Sequence, residues 1–331
     1  MKQVKFGRTG LRVSNLCLGT MTFGLQCDVP QSNAILDAAA TGGINFLDAA
    51  DVYPLGGGHN TAGRTEQIVG DWLKGKRQQF ILATKCVGQM GTKPWDLGMS
   101  RKHILDAIEA SLRRLGTDYI DLYQLHSYDP HTPIDEALEA LDAVVRSGKA
   151  RYVGVSNWPA YKVARALGRS ELRNLVRIDS VQPRYNLLFR SFERDLLALC
   201  AEEAIAVIPY NPLAGGLLTG KHDPKAAAAE GSRFQLGTAG PRYRKRYWHD
   251  QEFATVEALR KVAAEAGCNL ATLAMRWVLS NPAITAPIIG ASRPEQLADS
   301  IAASEQGALP GDLKAKLDEI TLQWRAVDAE R

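Results

Sequence analysis

The sequence predicts an α/β fold of the (β/α) barrel kind. Short apolar runs alternate with helix-like stretches at a spacing of roughly 30–40 residues, the pattern of a parallel sheet wrapped in helices. A polar residue recurs at the carboxyl end of run after run. Parallel strands that each deliver a reactive group at that end build one shared mouth, where barrel proteins keep their chemistry. No linker or shift of composition interrupts the chain, so one domain over 1–331 is expected.

Val4–Phe6 and Val13–Asn15 flank Gly7-Arg8-Thr9-Gly10 and read as a hairpin able to close the bottom of a barrel. Gln31–Thr41 reads as a helix stopped at Gly42-Gly43. Two runs follow, Asn45–Asp48 with Tyr53 just beyond it, and Phe80–Lys85. Ser100 caps a helix that runs to Leu115 and stops at Gly116. The run Tyr119–His126 leads to a helix Ile134–Ser147, with Pro133 before it and Gly148 after it. Tyr152–Asn157, a helix Ala160–Leu167, Asp179–Gln182, a helix Glu193–Glu203 and Ala206–Tyr210 continue the alternation. Asn211 to about Asp250 is a long connection rich in Gly, basic and aromatic residues, of a length usually functional or mobile. Helices Gln251–Ala266 and Leu270–Leu279 precede the last run, Thr285–Ser292, and helices Pro294–Ala303 and Asp312–Arg325 end the pattern.

Composition excludes several classes. Apolar residues make up 45% and charged residues 23% of 331, an ordinary globular balance with ample core. A net charge of +4, evenly spread, does not argue for nucleic acid. No apolar run approaches the ~18–20 residues that span a bilayer. Met1 to Phe6 lacks the apolar core of a signal peptide, so cytoplasmic residence is the default expectation. The cysteines Cys17, Cys27, Cys86, Cys200 and Cys268 are scattered without a C-x-x-C pair, which speaks against a metal site or a disulfide framework. Cys86 adjoins Lys85 and reads as a small buried residue rather than an activated thiol.

Nucleotide signatures fail one by one. The N-terminus has no strand-coupled G-x-G-x-x-G. Gly215 to Lys221 satisfies G-x-x-x-x-G-K, but His222 stands where a P-loop needs Ser or Thr for magnesium. Those glycines still let backbone N–H groups approach a phosphate. Arg242-Tyr243-Arg244-Lys245-Arg246-Tyr247-Trp248 is one basic, aromatic cluster, read as a solvated loop or a cover over a bound anion.

The text around the polar strand ends carries a stronger signal. Gly43-Ile44-Asn45-Phe46-Leu47-Asp48-Ala49-Ala50-Asp51-Val52-Tyr53, Ala83-Thr84-Lys85, Asp121 to His126, Gly148 to Asn157 and Tyr210 to Lys221 together resemble the aldo-keto reductases. The likeness runs from Val4 to about Leu322 and is nearest the branch of bacterial general reductases and potassium-channel beta subunits. It implies a (β/α)₈ barrel capped by an N-terminal hairpin. It also implies a catalytic tetrad of Asp48, Tyr53, Lys85 and His126. Ala49, Asn211 and Ser300 stand where many relatives have Thr, Ser and Asn.

The chemistry of such a tetrad follows from its parts. Hydride addition to a carbonyl builds alkoxide charge that must be protonated, yet a free Tyr titrates near pH ~10. Lys85 is therefore expected to lower the Tyr53 pKa, with Asp48 holding the ammonium and His126 orienting the carbonyl oxygen. The resemblance further implies NADP(H), with NAD(H) as the alternative. Ser156, Asn157 and Gln182 would hold the nicotinamide carboxamide and Tyr210 would stack on the ring, with Gly19, Thr20 and Met21 beside it. Asn211, Pro212, Leu213, Ala214, Gly215, Leu217 and Lys221 would wrap the pyrophosphate, and Arg233 would bind phosphate. Ser292, Arg293 and Gln296 would take the 2′-phosphate end, with Asp299 and Ser300 near the adenine and Gly290 also against the cofactor. Met21, Phe23, Tyr53, Trp95, His126, Tyr128 and Trp158, with Tyr247 and Trp248 as further candidates, are expected around a small-molecule substrate.

Three readings remain at this stage. The leading one is an NADP-dependent oxidoreductase interconverting carbonyls and alcohols. The second is a cofactor-binding regulatory subunit, disfavoured because the hairpin begins at Val4 with no inactivation peptide ahead of it. The third is an enzyme acting mainly as a secondary-alcohol dehydrogenase, since the same groups catalyse both directions.

Overall fold

The structure, a computed structural model, describes residues 1–326, so the last five residues of the expected 1–331 unit lie outside the described residues. A hairpin of β1 (Gln3–Lys5) and β2 (Arg12–Ser14) comes first, pairing antiparallel across the Gly7–Gly10 turn. Eight parallel strands follow: β3 (Cys17–Gly19), β4 (Phe46–Asp48), β5 (Ile81–Cys86), β6 (Ile120–Leu125), β7 (Ala150–Ser156), β8 (Ser180–Gln182), β9 (Ala206–Val207) and β10 (Ile288–Ile289). They pair in chain order, with β10 beside β3. A bridge between Tyr210 and Ile288 and a bond from Ile288 N–H to Pro209 O join the two ends, so the sheet closes into the expected (β/α)₈ barrel.

Period-two alternation sorts the side chains into two cores. Cys17, Phe46, Ala83, Leu122, Ala206 and Ile288 point into the barrel and pack with Phe6 and Val13 of the hairpin. Phe6 meets Phe46 edge to face at 5.9 Å, so the hairpin is an apolar plug for one end. The intervening residues, such as Leu47, Leu82, Tyr123 and Leu125, face the helical layer. That layer contains α1 (Val29–Thr41), α2 (Arg64–Leu73), α3 (Arg101–Leu115), α4 (Ile134–Arg146), α5 (Ala160–Arg173), α6 (Leu196–Glu202), α7 (Gly240–Tyr247), α8 (Asp250–Glu265), α9 (Leu270–Leu279), α10 (Ala298–Gln306) and α11 (Gly311–Ile320).

The differences from the expected elements have local causes. The first barrel strand, Cys17–Gly19, was not anticipated, being only three residues long. β9 and β10 are two residues each because Pro209 and Pro287 lack the N–H that a longer ladder needs. α5 runs six residues past Leu167, through Gly168, and stops at Asn174 in the left-handed region. α2 was missed altogether. Its N-cap is Gly63 without a side-chain bond, and Gly70 interrupts its interior. Gly70 is there for packing, since a Cβ would lie 2.6 Å from the Leu115 carbonyl oxygen of α3. Gly70→Ala should therefore destabilise the protein by about 1–3 kcal/mol, read by urea titration, although alanine is the better helix former.

Candidate active site

Above the apolar barrel layer, the same alternation brings up polar groups. The register pairs Lys85 with Gln124, and Phe46–Ile81 and Ala83–Leu122 pair below them. Asp48, Lys85 and Gln124 thus stand on the inner face, and His126 follows in the same parity just beyond β6. Lys85 Nζ donates to Asp48 Oδ2 at 2.6 Å and to Ala49 O at 2.7 Å, and lies 3.5 Å from Tyr53 Oη. Asp48 Oδ1 accepts from Gln124 Nε2 at 3.2 Å and from Gln182 Nε2 at 3.0 Å. The Tyr53 and His126 rings meet edge to face at 5.7 Å. Lys85 is fully buried, and Asp48 and Tyr53 are 2% and 8% exposed.

Burial sets the electrostatics of this floor. It alone would lower the Lys85 pKa, but Asp48 and Tyr53 outweigh it and leave the ammonium raised above the ordinary lysine value. Burial likewise pushes the Tyr53 phenol up, to about 12, against the downward pull of Lys85. This corrects the expected net lowering. The lysine does act in that direction, but its charge is shared with Asp48 and water is excluded. His126 moves the other way, down to about 3, through burial and then the charges of Lys85 and Arg242. Its imidazole is neutral at physiological pH. Burial raises the Cys86 thiol, as a small core residue requires.

A cavity of about 640 Å³ opens above the floor, within the usual range for a bound small molecule. One wall carries Ser156, Asn157 and Tyr210, where Asn157 Nδ2 donates to His126 O at 3.0 Å and Tyr210 Oη donates to Asn157 Oδ1 at 2.9 Å. Next to it, backbone φ is positive at Asn211 (56°), Ala214 (50°), Gly215 (69°) and Gly216 (103°). Gly215 is required there twice over, because a Cβ would also meet the Tyr243 ring at 2.8 Å. Three buried polar atoms, Asn211 Nδ2, His222 Nε2 and Ser232 Oγ, have no hydrogen-bond partner among the described residues, and their residues all line the cavity.

The sequence profile of the aldo/keto reductase family matches residues 15–321. The chain belongs to that family. Among curated proteins, the uncharacterized oxidoreductase YrpG of Bacillus subtilis (strain 168) is 40% identical over 313 residues, covering 92% of this chain and 91% of that protein. A probable voltage-gated potassium channel subunit beta of Arabidopsis thaliana is 36% identical over 308 residues, with 92% and 91% covered. Protein tas of Escherichia coli (strain K12) is 36% identical over 327 residues, with 91% and 92% covered.

Most residues that the aldo/keto reductase resemblance assigns to a dinucleotide line this one cavity. They include Gly19, Met21, Asp48, Ser156, Asn157, Gln182 and Tyr210 toward the floor. Asn211, Pro212, Leu213, Gly215, Lys221, Arg233, Gly290, Ser292, Gln296, Asp299 and Ser300 complete the set. Four assigned residues lie elsewhere. Thr20 is buried with its hydroxyl on Asp48 O, Ala214 and Leu217 are buried behind the lining, and Arg293 is exposed outside it.

The expected aromatic wall is largely absent. Of that set only Met21, Tyr53 and His126 line the cavity. Phe23 and Trp158 are core residues, Tyr128 packs on Trp158 at 5.0 Å, and Trp95 is 48% exposed. Tyr247 is fully buried, and Trp248 belongs to a cluster with His222, Phe234 and Phe253. Runs of aromatics in loops proved to be packing. Val52, Leu55 and Ser127 line the mouth and were missed, and Arg242 and Arg246 of the basic cluster line it as well. Gln124 was missed too, although a Gln within the apolar run Ile120–Leu125, two before His126, is the signal that finds it.

Proposed function

We propose that this chain is an NADP(H)-dependent oxidoreductase interconverting aldehydes or ketones and alcohols, with Tyr53 as general acid and base. Family membership supports the carbonyl/alcohol oxidoreductase class. The observation that carries the finer reading is the fully buried Lys85 ammonium between Asp48 and the Tyr53 hydroxyl at the floor of the cavity.

The residues present fit a phosphate-bearing dinucleotide. The orphaned polar atoms of Asn211, His222 and Ser232 and the left-handed backbone at Gly215 and Gly216 flank Lys221 and Arg233, a set suited to an anion. Tyr210, Asn157 and Ser156 would hold the nicotinamide end, and Ser292 and Gln296 the ribose-phosphate end. When bound, the dinucleotide supplies or accepts the hydride. Tyr53 gives its hydroxyl proton to the carbonyl oxygen as the C–O π pair becomes an alkoxide lone pair. Lys85, kept charged by Asp48, holds the resulting phenolate until solvent returns the proton. Neutral His126 can donate one N–H to the same oxygen and fix its orientation.

The pH dependence follows with a definite sign. Reduction uses the phenol, which predominates until pH nears about 12, so its rate should stay level across the neutral and mildly alkaline range. Oxidation uses the phenolate, whose fraction rises with each step of pH below that value, so its rate should climb. His126, titrating at about 3, should leave no inflection near neutrality. A reduction profile with a break near pH ~6–7 would point to a different acid.

Cofactor choice is tested by dinucleotide fluorescence titration. Arg233, beside Gly290 and 3.4 Å from Tyr243 Oη, is read as a ligand of the pyrophosphate common to both dinucleotides. Arg233→Ala should weaken NADPH and NADH alike, by about tenfold, the scale of one charge-assisted bond. Gln296→Ala should weaken NADPH more than NADH. Equal losses at Gln296 would remove the 2′-phosphate role from this end.

The regulatory reading retains one observation in its favour, the 36% identity to a protein named a probable potassium channel subunit beta. Carbonyl-dependent turnover separates the two.

A further inference from the structure

The basic helix of the long connection contributes two arginines to the lining of the cavity. Arg242 and Arg246 stand one helical turn apart on α7, and both line the cavity that contains Tyr53 and His126. Their neighbour Arg244 has a structural task, bonding Phe234 O from another face of the helix. Among the described residues, Arg242 and Arg246 make neither an ion pair nor a side-chain hydrogen bond, and Arg246 Nε is shielded from solvent without a partner. Like charges at this spacing repel along a helix face, and an anion between them would reverse that repulsion.

Lys221 and Arg233 line the same cavity, with Arg233 beside Gly290 and 3.4 Å from Tyr243 of α7. Arg242 lies near enough to His126 for its charge to oppose protonation of the imidazole, after burial and Lys85. Arg246 lies within range of Arg184, which bridges to Tyr210 through the backbone. The floor between them offers no further charge, because Lys85 and Asp48 neutralise each other at 2.6 Å. Val52, Leu55 and Met21 line the remainder with apolar surface.

We infer that Arg242 and Arg246 select carbonyl substrates that carry a carboxylate, an oxo acid or a carboxylated aldehyde, seating the anion on α7 while the carbonyl meets Tyr53 and His126. This rests on the catalytic reading above for the placement of the carbonyl. The carboxylate is a handle and takes no part in the bond changes. Guanidinium groups suit the task, since their paired N–H donors match the two carboxylate oxygens.

The test compares 4-carboxybenzaldehyde with its neutral analogue 4-carbamoylbenzaldehyde, using NADPH and the full-length protein. The parent should favour the carboxylate in kcat/KM by at least about tenfold. Arg242→Gln and Arg246→Gln should each raise KM for the carboxylate several-fold, with the carbamoyl substrate and the NADPH Kd nearly unchanged. The double variant should abolish the preference. A parent without preference overturns the inference. So do variants in which both substrates and NADPH weaken together, because the guanidiniums then serve the dinucleotide. Calorimetry with benzoate against benzamide on the NADPH-loaded protein reads the anion seat without turnover. Benzoate binding lost in the double variant supports the seat even where no carbonyl is reduced, an outcome that sinks the catalytic reading alone. Equal binding of benzoate and benzamide by the parent overturns the seat itself.

Discussion

Tyr53→Phe is expected to remove carbonyl reduction and alcohol oxidation together, by about 10²–10⁴ in kcat, the range for loss of a positioned acid. The substitution deletes one oxygen and little else. The ring keeps its edge contact with His126, and Lys85 keeps its bonds to Asp48 and to Ala49 O. No buried charge is stranded, so thermal stability and dinucleotide affinity should stay near those of the parent. Loss in both directions is required because the proton given in reduction is the one recovered in oxidation. A variant as fast as its parent removes Tyr53 from the mechanism. A variant that also loses the dinucleotide moves its role to binding.

Lys85→Met should be the more damaging substitution overall. Lys85 is fully buried, and its removal leaves Asp48 without a cation at a site 2% exposed. Breaking a buried pair from one side costs about 3–5 kcal/mol, because the remaining charge keeps its desolvation penalty. Gln124 and Gln182 still donate to Asp48 Oδ1, which places the expected loss toward the lower end. Turnover should fall as well, since nothing then holds a phenolate on Tyr53. Adding Asp48→Asn to Lys85→Met separates the two effects. The double variant should regain much of the stability in urea titration and none of the activity. Recovery of activity would show that the cation is dispensable to the chemistry.

What the sequence made legible was the recurring unit and the groups at strand ends. Asp48, Lys85 and His126 could be found because each polar residue closes an apolar run, and the resemblance extended this to Tyr53 beyond the strand. Chain order then converted to spatial order without ambiguity, since each strand pairs with the next. Elements whose reason lies in a partner were not legible. Gly70 looks like a helix breaker until the Leu115 backbone of α3 is seen against it. α7 has only Tyr243 and Tyr247 as an apolar edge among five other polar or turn-forming residues and Arg244, too little periodicity to announce a helix. The substrate wall failed for a related reason. Phe23, Tyr128 and Trp158 sit near the mouth in sequence, but aromatic rings close to a barrel rim find packing partners, and only coordinates distinguish the two fates. The sign of the Tyr53 shift was likewise beyond the sequence, because it is a contest between burial and a lysine whose charge Asp48 already offsets.

The most direct measurement is nicotinamide absorbance followed with NADPH and a broad panel of aldehydes and ketones, carboxylated and neutral. NADPH consumption that depends on the carbonyl, with one alcohol formed per NADPH oxidised, is the predicted result. Tight NADPH binding with no carbonyl-dependent consumption across the panel would contradict it and leave a dinucleotide-binding protein without this chemistry.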